Sequence, residues 1–289
     1  MPNSVPATTM TAATSDIPNL ELALKTLWGA TRWPGFADSS VVIDAPAWHG
    51  ARRRLHQLVS VHASGVLHGP HGVGKSYLLH RWSAELSAKQ YRCLRLSHSS
   101  LMGSDLLRQL VILGGRKALY RRGDNVASLA ALWQEWAPVW PVVIIEEAQD
   151  LNTPALEEIR LLTCSRADTQ IPFSLILVGD DDFLPRLDLG VNRALLSRFG
   201  FCLHLDRWPK DVLTLYLQGR LAEVGLHASP FDAPAEELLL QSAQGSPRLL
   251  NGLMQRTLET AAAANRRKVG RDDVLAALDT LPWVARERA

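Results

Sequence analysis

Cysteine is scarce in this chain, with three in 289 residues, at Cys93, Cys164 and Cys202. Their odd number and the lack of any C-x-x-C spacing exclude a disulfide framework and a cysteine-based zinc site. Apolar neighbours mark each as a small buried hydrophobe. Long hydrophobic runs are missing too. The longest, around Val139–Ile145 and Phe173–Val178, fall far short of the ~18 residues that a membrane span requires. The N-terminal MPNSVPATTMTAATSDIPNL has neither a basic n-region nor an apolar h-region, which excludes a secretory signal. A cytoplasmic protein with no membrane contact is therefore expected. Net charge is almost absent as well, since 31 Lys+Arg stand against 29 Asp+Glu for a sum of +2. That balance argues against a uniformly basic nucleic-acid binder, but it conceals a partition. Residues 51–140 carry 13 basic and 4 acidic side chains, whereas residues 141–190 carry 3 basic and 10 acidic. Segregation on this scale implies two chemically different surfaces.

The chain divides by composition and period. Residues 1–20, rich in Ser, Thr, Ala and Pro, read as a flexible tail. Over 21–205, short apolar runs alternate with helical patterns. Val66–His68, Arg92–Leu96, Val142–Ile145 and Ser174–Val178 read as strands. Helices are expected from about His49 and over Tyr77–Ala88, Ser104–Leu113, Leu129–Trp136 and Ala155–Cys164, the last with Thr153 as N-cap and Pro154 at its first position. Strands alternating with helices predict an α/β domain with a central parallel sheet. From 206 to 289 the strand signal stops and four helices are expected, at Pro209–Val224, Ala235–Ala243, Pro247–Ala264 and Arg271–Leu281. In the third, Leu250, Leu253, Met254 and Leu258 make one apolar stripe. A small all-α domain completes the chain.

The most specific motif is Gly69-Pro70-His71-Gly72-Val73-Gly74-Lys75-Ser76, which matches G-x-x-x-x-G-K-[ST], the P-loop, between a strand and a helix. Its glycines let backbone N–H groups converge on phosphate oxygens at a helix N-terminus. Lys75 would reach the β- and γ-phosphates of ATP, Ser76 would ligate Mg²⁺, and Tyr77 follows directly in the helix. A P-loop needs carboxylates on a second strand. Val142–Ile145 ends in Glu146 and Glu147, about 70 residues on. Glu146 would hold Mg²⁺ through water and Glu147 would orient the attacking water. Glu146 is one methylene longer than the Asp usual there, so slow hydrolysis is expected.

Five segments in order, GPHGVGKSYLL, VVIIEEAQDLNTPALEEIRLLT, FSLILVGDDDFLPRL, ALLSRFGFCLHL and AQGSPRLLNGLMQRTLETA, resemble AAA+ ATPases of the ExeA/TniB/TnsC kind. These comprise helper ATPases of bacterial DNA transposition and an ATPase of general secretion. The resemblance implies a P-loop AAA+ domain followed by a small helical lid. Asp180 falls at the sensor-1 position, where the family usually has Gln, Asn or Thr. Arg198 matches the arginine finger supplied to a neighbouring subunit, with Arg193 as the rival. Arg248, in Gly-Ser-Pro-Arg, matches sensor 2. The resemblance also implies ATP-dependent self-association, as a ring or helical filament, on double-stranded DNA, together with a transposase and a target-selection protein as partners. Two alternatives stand beside it: a secretion ATPase, whose relatives add a membrane span not found in these 289 residues, and an ATP-binding scaffold with little hydrolysis.

The run Gly114–Gly123 places Arg116, Lys117, Arg121 and Arg122 around Tyr120, a composition suited to following a DNA backbone. Arg266, Arg267, Lys268 and Arg271 form a weaker second patch. Nine histidines show no metal-ligand spacing. Trp133, Trp136 and Trp140 fall at i, i+3 and i+7, a core or interface stripe.

Overall fold

The computed structural model describes residues 20–34, 46–97, 103–163 and 173–281. Cys164 and most of the N-terminal tail lie outside them. Two compact units divide the chain. One holds the described residues from 46 to 213 together with 243–249; the other holds 20–34, 214–242 and 250–281.

The first unit is α/β. Its strands are β1 (Gly65–His68), β2 (Tyr91–Leu96), β3 (Trp140–Ile145), β4 (Ser174–Val178) and β5 (Phe201–His204). They form one parallel sheet in the order β2-β3-β4-β1-β5. Helix α1 (Leu20–Trp28) precedes this unit. Within it lie α2 (Pro46–Ser60), α3 (Lys75–Glu85), α4 (Gly103–Leu113), α5 (Arg122–Trp136), α6 (Thr153–Thr163), α7 (Phe183–Leu187) and α8 (Arg193–Leu196). Alternation along each strand creates the two cores. Val143, Ile145, Leu175 and Leu177 face α4, α5 and α6 in one core. Val142, Ile144, Ile176 and Val178 face α2 and α3 in the other. Both faces of β3 and β4 are thus covered, which is why these runs are continuously apolar. Each buried Leu or Ile contributes about 1.5–3 kcal/mol of transfer free energy. The sheet aligns the C-terminal ends of β1, β3 and β4, where ligands of open α/β sheets sit.

Several local expectations are corrected. Asn152, not Thr153, caps α6: its Oδ1 accepts the Ala155 N–H at 2.9 Å, and Thr153 is already helical. Helix α5 begins at Arg122, seven residues before its apolar period becomes visible, because Asn125 is buried and bonds both the N–H and the carbonyl of Leu119. The tryptophan stripe breaks. Helix α5 ends at Trp136, two residues before Pro138, and Trp140 opens β3, where its Nε1 donates to Ser174 Oγ at 3.0 Å. Nor are the cysteines uniformly buried: Cys202 is exposed and Cys93 half-buried. Burial still pushes the Cys93 thiol up to about 11.

The second unit is helical, with α9 (Lys210–Glu223), most of which lies here, α10 (Ala233–Ser242), α11 (Pro247–Ala263) from Leu250 onward, and α12 (Arg271–Asp279), joined by α1. The stripe Leu250, Leu253, Met254 and Leu258 is wholly buried, as its period requires. Among the described residues no helix is long and apolar enough to cross a membrane.

Candidate nucleotide site

The loop from Gly69 to Gly74 leaves β1 and enters α3. Gly72 has φ +77, and a Cβ there would lie 2.4 Å from Ser246 Oγ and 3.0 Å from Arg248 Cβ. Gly74 has φ +98 with Trp48 packed over it, at 2.7 Å from where a Cβ would stand. Only glycine meets both conditions, a left-handed backbone and no side-chain volume. An aromatic brace holds the loop from outside. Trp48 packs on Tyr77 at 5.4 Å and edge-on to Trp208 at 5.4 Å, and Trp208 Nε1 donates to the Val73 carbonyl at 3.0 Å. Tyr77, expected beside a cofactor, thus has its ring against Trp48.

Lys75 Nζ donates to the carbonyls of Gly69 at 2.6 Å and Pro70 at 3.0 Å. Burial lowers its pKa, the Glu147, Asp180 and Asp181 carboxylates raise it, and Arg248 lowers it. These groups locate the site: one guanidinium and three carboxylates act on one half-buried ammonium. Arg248, exposed in the first turn of α11, donates its backbone N–H to the Gly72 carbonyl at 3.4 Å. Ser246 fixes that helix start, its Oγ accepting the Leu249 N–H at 3.2 Å. Lys75 and Arg248, 173 residues apart in sequence, therefore meet at one loop.

Glu146 sits at the end of β3 with its side chain 5% exposed. Its carboxylate is ion-paired with Arg95 Nε, and Arg95 Nη2 donates to the Ser76 carbonyl at 3.0 Å. Arg95 was not foreseen. Register explains the contact, since Arg95 pairs with Ile144 across β2–β3, two residues before Glu146 at the strand end. Glu147 is exposed and in the left-handed region at φ 52, ψ 43, with Gln149 Nε2 donating to its carboxylate at 2.7 Å. A non-glycine residue held there costs on the order of 1–3 kcal/mol and turns the side chain out of the strand direction. The turn is secured by Arg186, also unforeseen, which donates to the carbonyls of Gln149 and Leu151. Asp180 directs Oδ2 to His71 Nε2 at 3.3 Å, while its Oδ1 is buried with no hydrogen-bond partner among the described residues.

The remaining expected residues are dispersed. Arg198 is half-buried and donates to the Thr163 carbonyl at 3.1 Å, whereas Arg193 is exposed. In the basic run, Arg116 is paired with Glu135 and also donates to the Ser128 carbonyl, and Arg122 makes two 2.8 Å bonds to Glu158, whose side chain is 8% exposed. Lys117, Tyr120 and Arg121 are exposed. In the second patch, Arg266 is paired with buried Asp273. The histidines also differ from their expected scatter, because His68 and His204 lie side by side with ring centroids 4.6 Å apart.

Residues 59–187 match the family described as AAA domain. General secretion pathway protein A of Aeromonas hydrophila is 29% identical over 133 residues, 46% of this chain and 24% of that protein. Among solved structures, Cdc6p of Pyrobaculum aerophilum aligns with TM-score 0.67 at 15% identity, covering 88% of this chain and 70% of its own. The Aeropyrum pernix ORC1 protein, solved in complex with DNA, aligns with TM-score 0.63 at 16% identity, covering 84% of this chain and 66% of its own. The chain thus spans about a quarter of that curated relative and about two thirds of these structural ones. Sheet order, glycine loop and sequence match agree: residues 59–187 are similar to an AAA domain, and the chain has the P-loop AAA+ fold.

Proposed function

We propose that the protein is an ATP-dependent switch that assembles in several copies on duplex DNA, and that within this class it regulates DNA transposition by recruiting or activating a transposase, with a target-selection protein as a further partner. The observation that carries the reading is the convergence of Lys75 and Arg248 on one glycine loop, with the Glu147 and Asp180 carboxylates acting on Lys75. Bound ATP would bring a phosphoryl group to be transferred to water, and Mg²⁺ would offset its charge.

The residues present fit the nucleotide. A half-buried ammonium with a lowered pKa, held by backbone carbonyls, gains by exchanging them for phosphate oxygens. Gly69, Pro70, His71, Gly72, Val73 and Gly74 supply the loop, with Ser76 and Tyr77 opening the helix. Arg248 would report nucleotide occupancy through the first turn of α11. Ser76 and Glu146 would hold Mg²⁺, but Glu146 shares its carboxylate with Arg95, so the metal must compete with a guanidinium. Glu147 would orient the water, and Asp180 would bond it. Slow turnover follows, which suits a timer rather than a motor. Arg198 serves a neighbouring copy only by leaving the Thr163 carbonyl, so exposed Arg193 is the better-placed finger. Lys117 and Arg121, exposed on either side of Tyr120, would be the residues of the basic run to meet DNA.

Turnover with and without DNA, measured beside Glu147→Gln, tests the site. The variant should retain nucleotide binding and lose roughly 10²–10⁴-fold in rate; equal turnover would remove Glu147 from the chemistry. A second reading, an ATPase resembling general secretion pathway protein A, draws on the 29% identity over 133 residues. It predicts turnover indifferent to DNA.

A further inference from the structure

We propose that His68, His204 and Asp181 form a binding site for a divalent transition-metal ion of the zinc class, on the sheet edge beside the phosphate loop and separate from the Mg²⁺ position. His68 and His204 are the last residues of β1 and β5 and are direct partners in the parallel register. Neighbouring parallel strands stand about 4.8 Å apart, so paired residues send their side chains to the same face. Asp181 arrives from the loop after β4 and presents one oxygen to both rings, with Oδ1 3.0 Å from His68 Nδ1 and 3.2 Å from His204 Nε2. All three ligand atoms lie within 4.8 Å of one another.

Two features favour a metal over a plain hydrogen-bonded cluster. First, His204 contacts carboxylates through both ring nitrogens, Nε2 to Asp181 and Nδ1 to Asp206 Oδ1 at 3.1 Å. With both ring nitrogens against carboxylates, the ring either carries two protons or sets one lone pair against a carboxylate. A metal ion seated between Nε2 and Asp181 takes the place of that second proton and leaves Nδ1–H to donate to Asp206. That is the carboxylate–histidine–metal relay that orients ligating imidazoles. Second, the spacing fits. Ligands about 2.0–2.1 Å from a tetrahedral ion are roughly 3.3 Å apart, close to the two separations found. The set of two imidazoles and one carboxylate suits zinc-class ions and leaves a fourth position open. His68 is only 13% exposed and Asp181 49%, so the site has a wall and an entrance. Occupation would tie the loop carrying Asp180 to the strand that feeds Gly69.

The test is calorimetric titration of the metal-stripped full chain with Zn²⁺ alone. One ion should bind per chain, and Zn²⁺ should raise Tm by mass action. His68→Ala and His204→Ala should abolish this binding, Asp181→Asn should weaken it at least tenfold, and Asp206→Asn should weaken it roughly 10–100-fold as a positioning residue. His227→Ala and Cys202→Ser, both at exposed positions, should bind as the unaltered protein does. Co²⁺ should give a visible absorption band that disappears in His204→Ala. Melting curves of the metal-free variants verify folding, and Asp181→Asn, on an exposed loop, keeps the test open if a strand variant misfolds. Absence of Zn²⁺ binding, binding unchanged in His204→Ala and Asp181→Asn, or loss of binding in Cys202→Ser would each overturn the assignment.

Discussion

The phosphate loop and the basic run 114–123 are both short, glycine-flanked and cationic, yet the fold treats their charges in opposite ways. At the loop, Lys75 satisfies itself on two backbone carbonyls, a contact that an anion can replace. In the run, Arg116 and Arg122 are committed to Glu135 and Glu158, while Lys117 and Arg121 remain exposed. The first arrangement holds a cation ready for a ligand; the second spends half its cations on fastening α5 to its surroundings. Counting charges along a sequence cannot separate these uses, because the neutralising carboxylates lie 19 and 36 residues away.

Substitutions can sharpen this contrast. The largest effect is expected at the loop: Lys75→Ala should weaken ATP binding roughly a hundredfold, as loss of a charge-assisted contact of ~3 kcal/mol implies, without lowering Tm. Fluorescent-nucleotide titration and a melting curve check both halves. Next comes Arg122→Ala, which leaves buried Glu158 unpaired and should cost about 1–3 kcal/mol of stability in urea unfolding. It should change DNA affinity little. The pair Lys117→Ala with Arg121→Ala should do the reverse, weakening DNA binding roughly tenfold and reducing the log–log salt slope by about 2 while leaving stability unchanged. If Arg122→Ala instead reproduced that slope change, the division between fastening and ligand-facing cations would be wrong.

The smallest effect concerns β2, where burial raises the Cys93 thiol to about 11 from an ordinary 9.0. Here the unfolded chain loses its proton first. Stability from this group is therefore complete below about pH 9 and declines as pH rises toward 11. Between pH 8 and pH 10 the loss should be about 1 kcal/mol, and Cys93→Ala should abolish this part of the pH dependence.

How far the sequence could be read follows the same logic. Elements whose signal is local came through. The strands at Val142–Ile145 and Ser174–Val178 are apolar on both faces, the stripe on α11 has its period, and the glycine–lysine loop has its spacing. What escaped depends on distant partners. Arg95 meets Glu146 because β2 lies beside β3, and Arg186 reaches the carbonyls after Glu147 across about 35 residues. The pairing of His68 with His204 exists only once β5 joins the sheet next to β1. Asn152 rather than Thr153 is the cap because Thr153 already lies inside the helix, and two adjacent residues of capping type leave that boundary open in the sequence.

The most direct test of the account is binding of labelled duplex DNA, followed by fluorescence anisotropy at moderate salt with a non-hydrolysable ATP analogue, with ADP and without nucleotide, in the unaltered protein and in Lys75→Ala. Tight binding only with the ATP analogue, lost in Lys75→Ala, is the expected result. Binding that is equal in all three conditions, or absent in all of them, would contradict it.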